Sequence, residues 1–430
     1  MLLGLLLAAS IGVRAQTAKS AIDVLTVKGT INPVLVDYIG RGIAQAEETK
    51  ASVVIIRMDT PGGLDTAMRD IIQEIVNAKV PVIVYISPSG ARAASAGVYI
   101  TMSAHIAAMA SNTAIGAATP VQMGGDGEAQ VSDEMKAKII NDAAAYIRSI
   151  AESHGRNADW AEKAVREAVS ITETEALRLN VIDMTAPDLN SLISQLDGRE
   201  VTLIDGSVVT INTQSAPVNY VKMPLAEDFL YTIADPNIAF ILLSLAMLGI
   251  TVEIFNPGLI FPGVVGGISL LFAFYSLGVL PVNWAGVLLI VLAFGLFIAE
   301  VLTTTFGLFT VGGVTSLVIG SLILFKGAAP VFQVNPWLIA TVTVAISSLF
   351  AFVISRVLKA HRSQAKTGRE ELIGKTAIVK VALDPEGTVF FKGERWEAVS
   401  DKGKVEPEEE VLITKVEGLT LWVTKQEKGR

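Results

Sequence analysis

Cysteine is absent from the 430 residues, which excludes disulfides, thiolate metal centres and a cysteine nucleophile at once. Histidine is scarce. His105, His154 and His361 are the only three, a poor supply for a histidine-centred zinc site. Positive charge is in deficit too: 34 Lys and Arg stand against 42 Asp and Glu, a net charge of −8. That balance offers no basic face for nucleic acid. No cofactor is expected.

What the chain has in excess is apolar sequence, 51% overall, concentrated between about Pro236 and Val357. Stretches at about 237–255, 259–280, 284–302, 306–325 and 336–356 each approach the ~20 residues that a helix needs to cross a bilayer. About five spans, over 236–357, are predicted. Arg356, Lys359, Arg362, Lys366 and Arg369 follow the last stretch, whereas the earlier short loops are nearly uncharged apart from Lys326. The positive-inside rule then puts the end of the last span in the cytoplasm and the start of the first outside. Residues 1–15 (M-L-L-G-L-L-L-A-A-S-I-G-V-R-A) favour a signal peptide with a small-x-small end, an anchor being the alternative. This expectation agrees with the outside placement. Glu253 and Glu300 fall toward the cytoplasmic ends of their spans, close enough to water to give transport little support.

Residues 20–225 alternate between β-branched runs and amphipathic segments. Strands are predicted over Ala21–Val27, Ala51–Met58, Val80–Ile86 and Ile106–Ala110, and helices over Asp65–Asn77, Ser132–Ser153, Trp160–Ala168 and Glu173–Leu179. This order predicts an α/β domain with a parallel or mixed sheet. Residues 190–225, with Asp205-Gly206 as a hairpin turn, are expected to form a small β appendage. After the membrane block, residues 371–426 carry five short strands with glycine-bearing turns, the pattern of a small all-β barrel. Its Phe390, Phe391, Trp396 and Trp422 are expected to pack rather than stack on bases, given acidic Glu406–Glu410 nearby.

Two segments of the α/β domain point to chemistry. Met58–Leu64 (M-D-T-P-G-G-L) puts Gly62-Gly63 straight after a strand, where glycines let backbone approach a ligand. Ser87–Gly97 (S-P-S-G-A-R-A-A-S-A-G) sets Ser95 among small residues before an apolar helix. A serine at a helix start beside free backbone N–H groups is the equipment of a serine hydrolase. The same residues also suit a serine-capped helix packed through small side chains, and local pattern does not separate the two. A base is harder to find. His105 lies inside a strand and His154 at a helix end, where a capping role is natural. Lysine is the other solution, since a desolvated amine gives up its proton more readily. The helix after Ser132 offers Lys136 and Lys138.

Asp59-Thr60-Pro61-Gly62-Gly63-Leu64, the Ser-Ala-Gly at Ser95, His105–Ala110, Ile115-Gly116-Ala117 and Tyr146–Ser149 through Gly155-Arg156-Asn157 together resemble the membrane-bound NfeD family. So do Gly393-Glu394-Arg395-Trp396 and Val416-Glu417-Gly418-Leu419 near the end. The resemblance implies an α/β Clp/crotonase-like protease domain, a multi-span α-helical membrane domain and a small OB-fold barrel. It also implies a Ser-Lys dyad: Ser95, and Lys138 in Lys138-Ile139-Ile140-Asn141 ahead of Ala145-Tyr146-Ile147. Backbone N–H groups near Gly62-Gly63 and of Ala96 would then hold the oxyanion. Hydrophobic segments are the implied substrate, a stomatin-like membrane protein the implied partner, and a homo-oligomer the implied assembly. Glu134, one helical turn before Lys138, is expected within reach of that lysine.

Overall fold

The computed structural model describes residues 20–120, 132–303, 307–325, 332–362 and 371–426. The expected signal segment lies outside them. The chain opens with β1 (Ile22–Lys28), α1 (Pro33–Thr49), β2 (Val53–Asp59), α2 (Asp65–Val76) and β3 (Val82–Ile86). Next come β4 (Arg92–Ala94), α3 (Ala96–Ser103), β5 (Ile106–Met109), β6 (Ala114–Gly116), α4 (Asp133–Ser153) and α5 (Ala158–Arg166). The domain continues through β7 (Ser170–Thr172), α6 (Glu173–Arg178), β8 (Met184–Thr185), α7 (Leu189–Leu196), β9 (Glu200–Thr202), β10 (Val208–Thr210) and β11 (Val218–Val221).

The main sheet has the order β11-β1-β2-β3-β5-β8, every pairing parallel. β3 is buried along its whole length, and β1 and β2 over their first four residues, because both faces are covered, which is why these strands are near-continuous apolar runs. Alternate residues divide between two cores. Leu25, Val54, Ile56 and Val84 face α1, α2, α3 and α4, whereas Val24, Ile55, Ile83 and Tyr85 face α7 and the β9–β10 hairpin. A second sheet, β4-β6-β7, stands beside α3.

The α/β expectation holds. Within residues 190–225 the hairpin at Asp205-Gly206 is β9–β10; with α7 it covers one face of the sheet, and β11 extends the sheet's edge in register with β1, Ile22 opposite Val218. Helix α1 was not anticipated, although Asn32 and Pro33 announce it. The Asn32 side chain accepts the Leu35 N–H, and Pro33 occupies a first-turn position where no N–H is needed.

The membrane block follows a short helix, α8 (Leu225–Ile233), and holds α9 (Pro236–Phe255), α10 (Ile260–Val279), α11 (Trp284–Leu302), α12 (Leu308–Ile323) and α13 (Pro336–Arg362). Among the described residues four helices are long and apolar enough to cross a bilayer. The one over the 306–325 stretch, α12, has 16 residues. α9–α10 and α11–α12 are antiparallel hairpins. A Cβ on Gly249 would lie 2.8 Å from the Gly266 Cα, so small residues let the first pair close up. In the second, Glu300 Oε1 and Oε2 accept the N–H groups of Gly307 and Thr310 (2.8 and 3.1 Å). They thereby satisfy the start of α12. At the opposite end of this pair the Asn283 N–H donates to the Leu324 carbonyl (2.7 Å).

Residues beyond the membrane block form a closed barrel of β12 (Thr376–Val381), β13 (Glu386–Phe391), β14 (Glu394–Ser400), β15 (Glu410–Glu417) and β16 (Thr420–Lys425). Its order β12-β13-β14-β16-β15, with β15 returning to β12, is OB-like. Val379, Val389, Ala398, Ile413 and Val423 fill it, with Phe391 buried and Trp396 packed at its margin, while Phe390 is partly exposed.

Candidate active site

The two segments singled out in the sequence are stitched together by Thr60. Its N–H donates to the Arg92 carbonyl (2.8 Å), and its own carbonyl accepts the Ala94 N–H (3.1 Å). Its hydroxyl accepts the Gly62 N–H (3.0 Å) and donates to the Gly62 carbonyl (3.2 Å). The glycine turn is thus locked to the strand that delivers Ser95.

Both glycines are required by space. Gly62 has φ +114°, and a Cβ there would lie 2.6 Å from the Ser95 Cβ; a Cβ on Gly63 would lie 2.1 Å from the Ile31 carbonyl oxygen. The Gly62 carbonyl accepts from Ile31, and Leu64 N–H donates back to the Ile31 carbonyl. That parallel bridge turns the Gly63 N–H outward. Among the described residues it has no hydrogen-bond partner.

Ser95 precedes α3 in a sparsely populated conformation, φ +52° and ψ −117°. For a residue with a side chain this strain costs on the order of 1–3 kcal/mol. It persists because the Ser95 N–H is held between the carbonyls of Gly116 and Ala117 (3.3 and 3.2 Å), while its carbonyl accepts the Val98 N–H (3.0 Å). The side chain makes no capping bond, which removes the plain helix-cap reading left open by the sequence. Ala96 is the first residue of α3, so its N–H is one of the helix's unpaired donors.

A buried cation braces the far end of α3. Arg156 donates to the carbonyls of Met102 and Ala104 (2.7 and 2.8 Å) and to Asp183 (2.5 Å). Asp183 in turn accepts the Ala107 N–H (2.6 Å). Sequence gave no sign of this role, because the contact joins positions that are 27 and some 50 residues apart.

Ser95, Gly63, Ala96 and Lys138 line one cavity of about 660 Å³. Lys136 is not among its lining residues and pairs with Asp133 at 3.7 Å. Apolar surface comes from Met68, Ala118, Met135 and Ile139, and Tyr99 closes the floor. Burial pushes the Tyr99 phenol up, so it stays neutral, donating to the Ala143 carbonyl (3.3 Å). The carboxylates of Asp65 and Asp142 also line the cavity, but Arg69 takes both, at 2.8 and 3.0 Å, with its guanidinium over the Tyr146 ring. Glu134, one helical turn before Lys138, forms no ion pair with it among the described residues. Among the described residues no carboxylate pairs with that lysine. Lys138 stands on the exposed first turns of α4.

Neither histidine serves here. Burial lowers His105 to about 4, and its Nδ1 accepts the Val82 N–H (3.1 Å). His154 ends α4, where burial lowers it too and its Nδ1 meets the Ile150 carbonyl (2.9 Å). Among the described residues no group of acids and histidines could hold a metal. A strained hydroxyl, an amine and two outward amides around one apolar cavity can together perform acyl transfer.

Three family models match the chain in order. They are the NfeD1b N-terminal domain over residues 21–216, the NfeD integral membrane domain over 237–356 and the NfeD-like C-terminal, partner-binding domain over 369–425. A membrane-bound protease of Pyrococcus horikoshii is 39% identical over 421 residues, covering 96% of this chain and 95% of that protein. The membrane protein NfeD1b of Bacillus subtilis is 28% identical over 444 residues, covering 97% and 96%. A solved structure of a membrane protease specific for a stomatin homologue, also from Pyrococcus horikoshii, is 36% identical. It covers 51% of this chain and 100% of its own, with a TM-score of 0.44.

Proposed function

The chain belongs to the NfeD family of integral membrane proteins, and from that premise we propose that it is a membrane-bound serine endopeptidase working through a Ser95–Lys138 dyad. The observation that carries this reading is the shared cavity, in which the strained serine, the lysine and the amides of Gly63 and Ala96 face one space. Its full-length relative in Pyrococcus horikoshii bears the name of a membrane-bound protease.

In the proposed reaction the Lys138 amine, in its neutral form, accepts the Ser95 proton as Oγ attacks a peptide carbonyl. The developing oxyanion receives the N–H groups of Gly63 and Ala96. Lys138 then hands the proton to the leaving amine, and water releases the acyl group by the reverse route. The Met68, Met135 and Ile139 walls suit an apolar side chain. Hydrophobic segments of membrane-associated proteins, stomatin-like ones among them, are therefore the proposed substrates. The α/β domain would work outside the cytoplasm, with the barrel inside and the protein assembled as a homo-oligomer.

A second reading has its own support. Residues 369–425 match a partner-binding domain, which suits a non-catalytic scaffold for stomatin-like proteins. Cleavage of a hydrophobic peptide separates the two. The wild type should cut it and react with a serine-directed probe, whereas Ser95→Ala and Lys138→Ala should each lose on the order of 10⁴-fold or more in kcat. Full cleavage by either variant sinks the dyad. A wild type that neither cleaves nor takes the probe leaves the scaffold.

A further inference from the structure

One apolar face plays no part in the reaction proposed above: the outer face of α8, between β11 and the first membrane-spanning helix. Its inner face is polar and occupied. Glu227 is bound by Arg41 of α1 through two hydrogen bonds (3.0 and 2.6 Å), and the Tyr231 hydroxyl donates to the Lys28 carbonyl (2.7 Å). Leu225 and Phe229, one helical turn apart, point the other way and are 90% and 44% exposed.

The depth of this face is fixed by its neighbours. The Phe229 ring meets Phe272 edge-on at 5.0 Å, and the Ser276 hydroxyl donates to the Ile233 carbonyl (2.5 Å). Phe272 lies about 10 Å along the axis from the end of α10 at Val279. The second half of α8 therefore runs beside the last turns of a bilayer-spanning helix. The starts of α9, α11 and α13 share that end with the close of α10. Three residues join α10 to Asn283 and α11, and the Asn335 N–H donates to Asn237 Oδ1 (2.8 Å). Trp284 and Trp337 open α11 and α13 there, 63% and 82% exposed, as tryptophans do at the level of lipid headgroups.

We propose that α8 lies along the bilayer surface with Leu225 and Phe229 sunk at the boundary between headgroups and acyl chains. An amphipathic helix with Leu225 and Phe229 outward and the polar Asp228 and Thr232 along one margin suits that layer. Through Arg41 and Lys28 it seats the α/β domain on the membrane instead of leaving it on a loose tether.

The absence of native cysteine makes the test direct. Single-cysteine variants Leu225→Cys and Phe229→Cys of the full chain, in phosphatidylcholine nanodiscs, are given a nitroxide label. Its collision rates with oxygen and with a water-soluble nickel complex are then measured. Leu288→Cys on the exposed face of α11 and Val208→Cys in the β9–β10 hairpin give the lipid and water references. The oxygen-to-nickel ratio at both α8 sites should exceed the Val208 value several-fold and approach that of Leu288. A ratio equal to that at Val208 overturns the proposal, and so does low access to both reagents, the sign of a covering protein surface. Leu225 packs on nothing, so its substitution leaves the fold intact and keeps the test decisive.

Discussion

The two walls of the cavity are built in opposite ways. The wall of Gly62, Gly63 and Ser95 is held from every side: by Thr60, by the Ile31 bridge, by the Gly116 and Ala117 carbonyls and by Arg156 behind α3. The wall of Lys138 is the exposed start of a helix, tied to the rest by Arg69–Asp142 and Tyr99–Ala143. Groups that must meet a developing charge gain from being fixed in advance. A lysine base needs something else, the loss of water around its amine. In the proposed reaction the fold supplies the first, and a bound substrate would supply the second by covering the start of α4.

That contrast can be broken by substitution. Lys138→Arg keeps the positive charge and the exposed helix surface but cannot shed its proton. It should abolish cleavage while shifting stability by no more than about 0.5 kcal/mol. Retained turnover would remove the base from this wall. Gly63→Ala should lower kcat on the order of 10²–10³-fold, the usual cost of a lost oxyanion donor, because its Cβ forces the turn off the Ile31 carbonyl. Circular dichroism that stays native alongside full activity would show that the amide is not used.

Smaller effects sharpen the comparison. Arg69→Met removes both carboxylate pairs and the contact over Tyr146. Such exposed ties are worth about 1 kcal/mol together, so a modest loss of stability is expected. Asp65 and Asp142 line the cavity, so releasing them should also lower cleavage several-fold; unchanged cleavage would show that the Arg69 ties do not matter to the site. Acid touches the buried wall last. His105 titrates near 4 in the fold against about 6.5 when unfolded, so the unfolded chain binds more protons between those values. Stability should therefore fall as pH drops from about 6.5 toward 4. The Tm of His105→Gln should respond less over that range, with cleavage at neutral pH unchanged.

The same division governs what the sequence reveals. A glycine pair after a strand and a serine among alanines are local signals, because close backbone approach demands small residues at those positions. The sheet was legible for a similar reason: strands covered on both faces must be apolar throughout. Lys138 looked like any lysine on a helix until a family resemblance separated it from Lys136, and only the structure puts it in the cavity with Ser95. Arg69, Arg156 and Thr60 act through contacts that periodicity does not record. Helix α8 and strand β11 are too short to print a pattern, and in both cases tertiary packing outweighed a weak local preference.

Glu300 carries a consequence for how the membrane block is made. Its two oxygens accept the first amides of α12, a helix of 16 residues. Those amides belong to another helix, so a carboxylate of α11 holds the first turn of α12 in place. α11 itself, 19 residues with a mean hydropathy of 2.6, is long and apolar enough to enter a bilayer alone. The dependence therefore runs one way: α12 leans on α11.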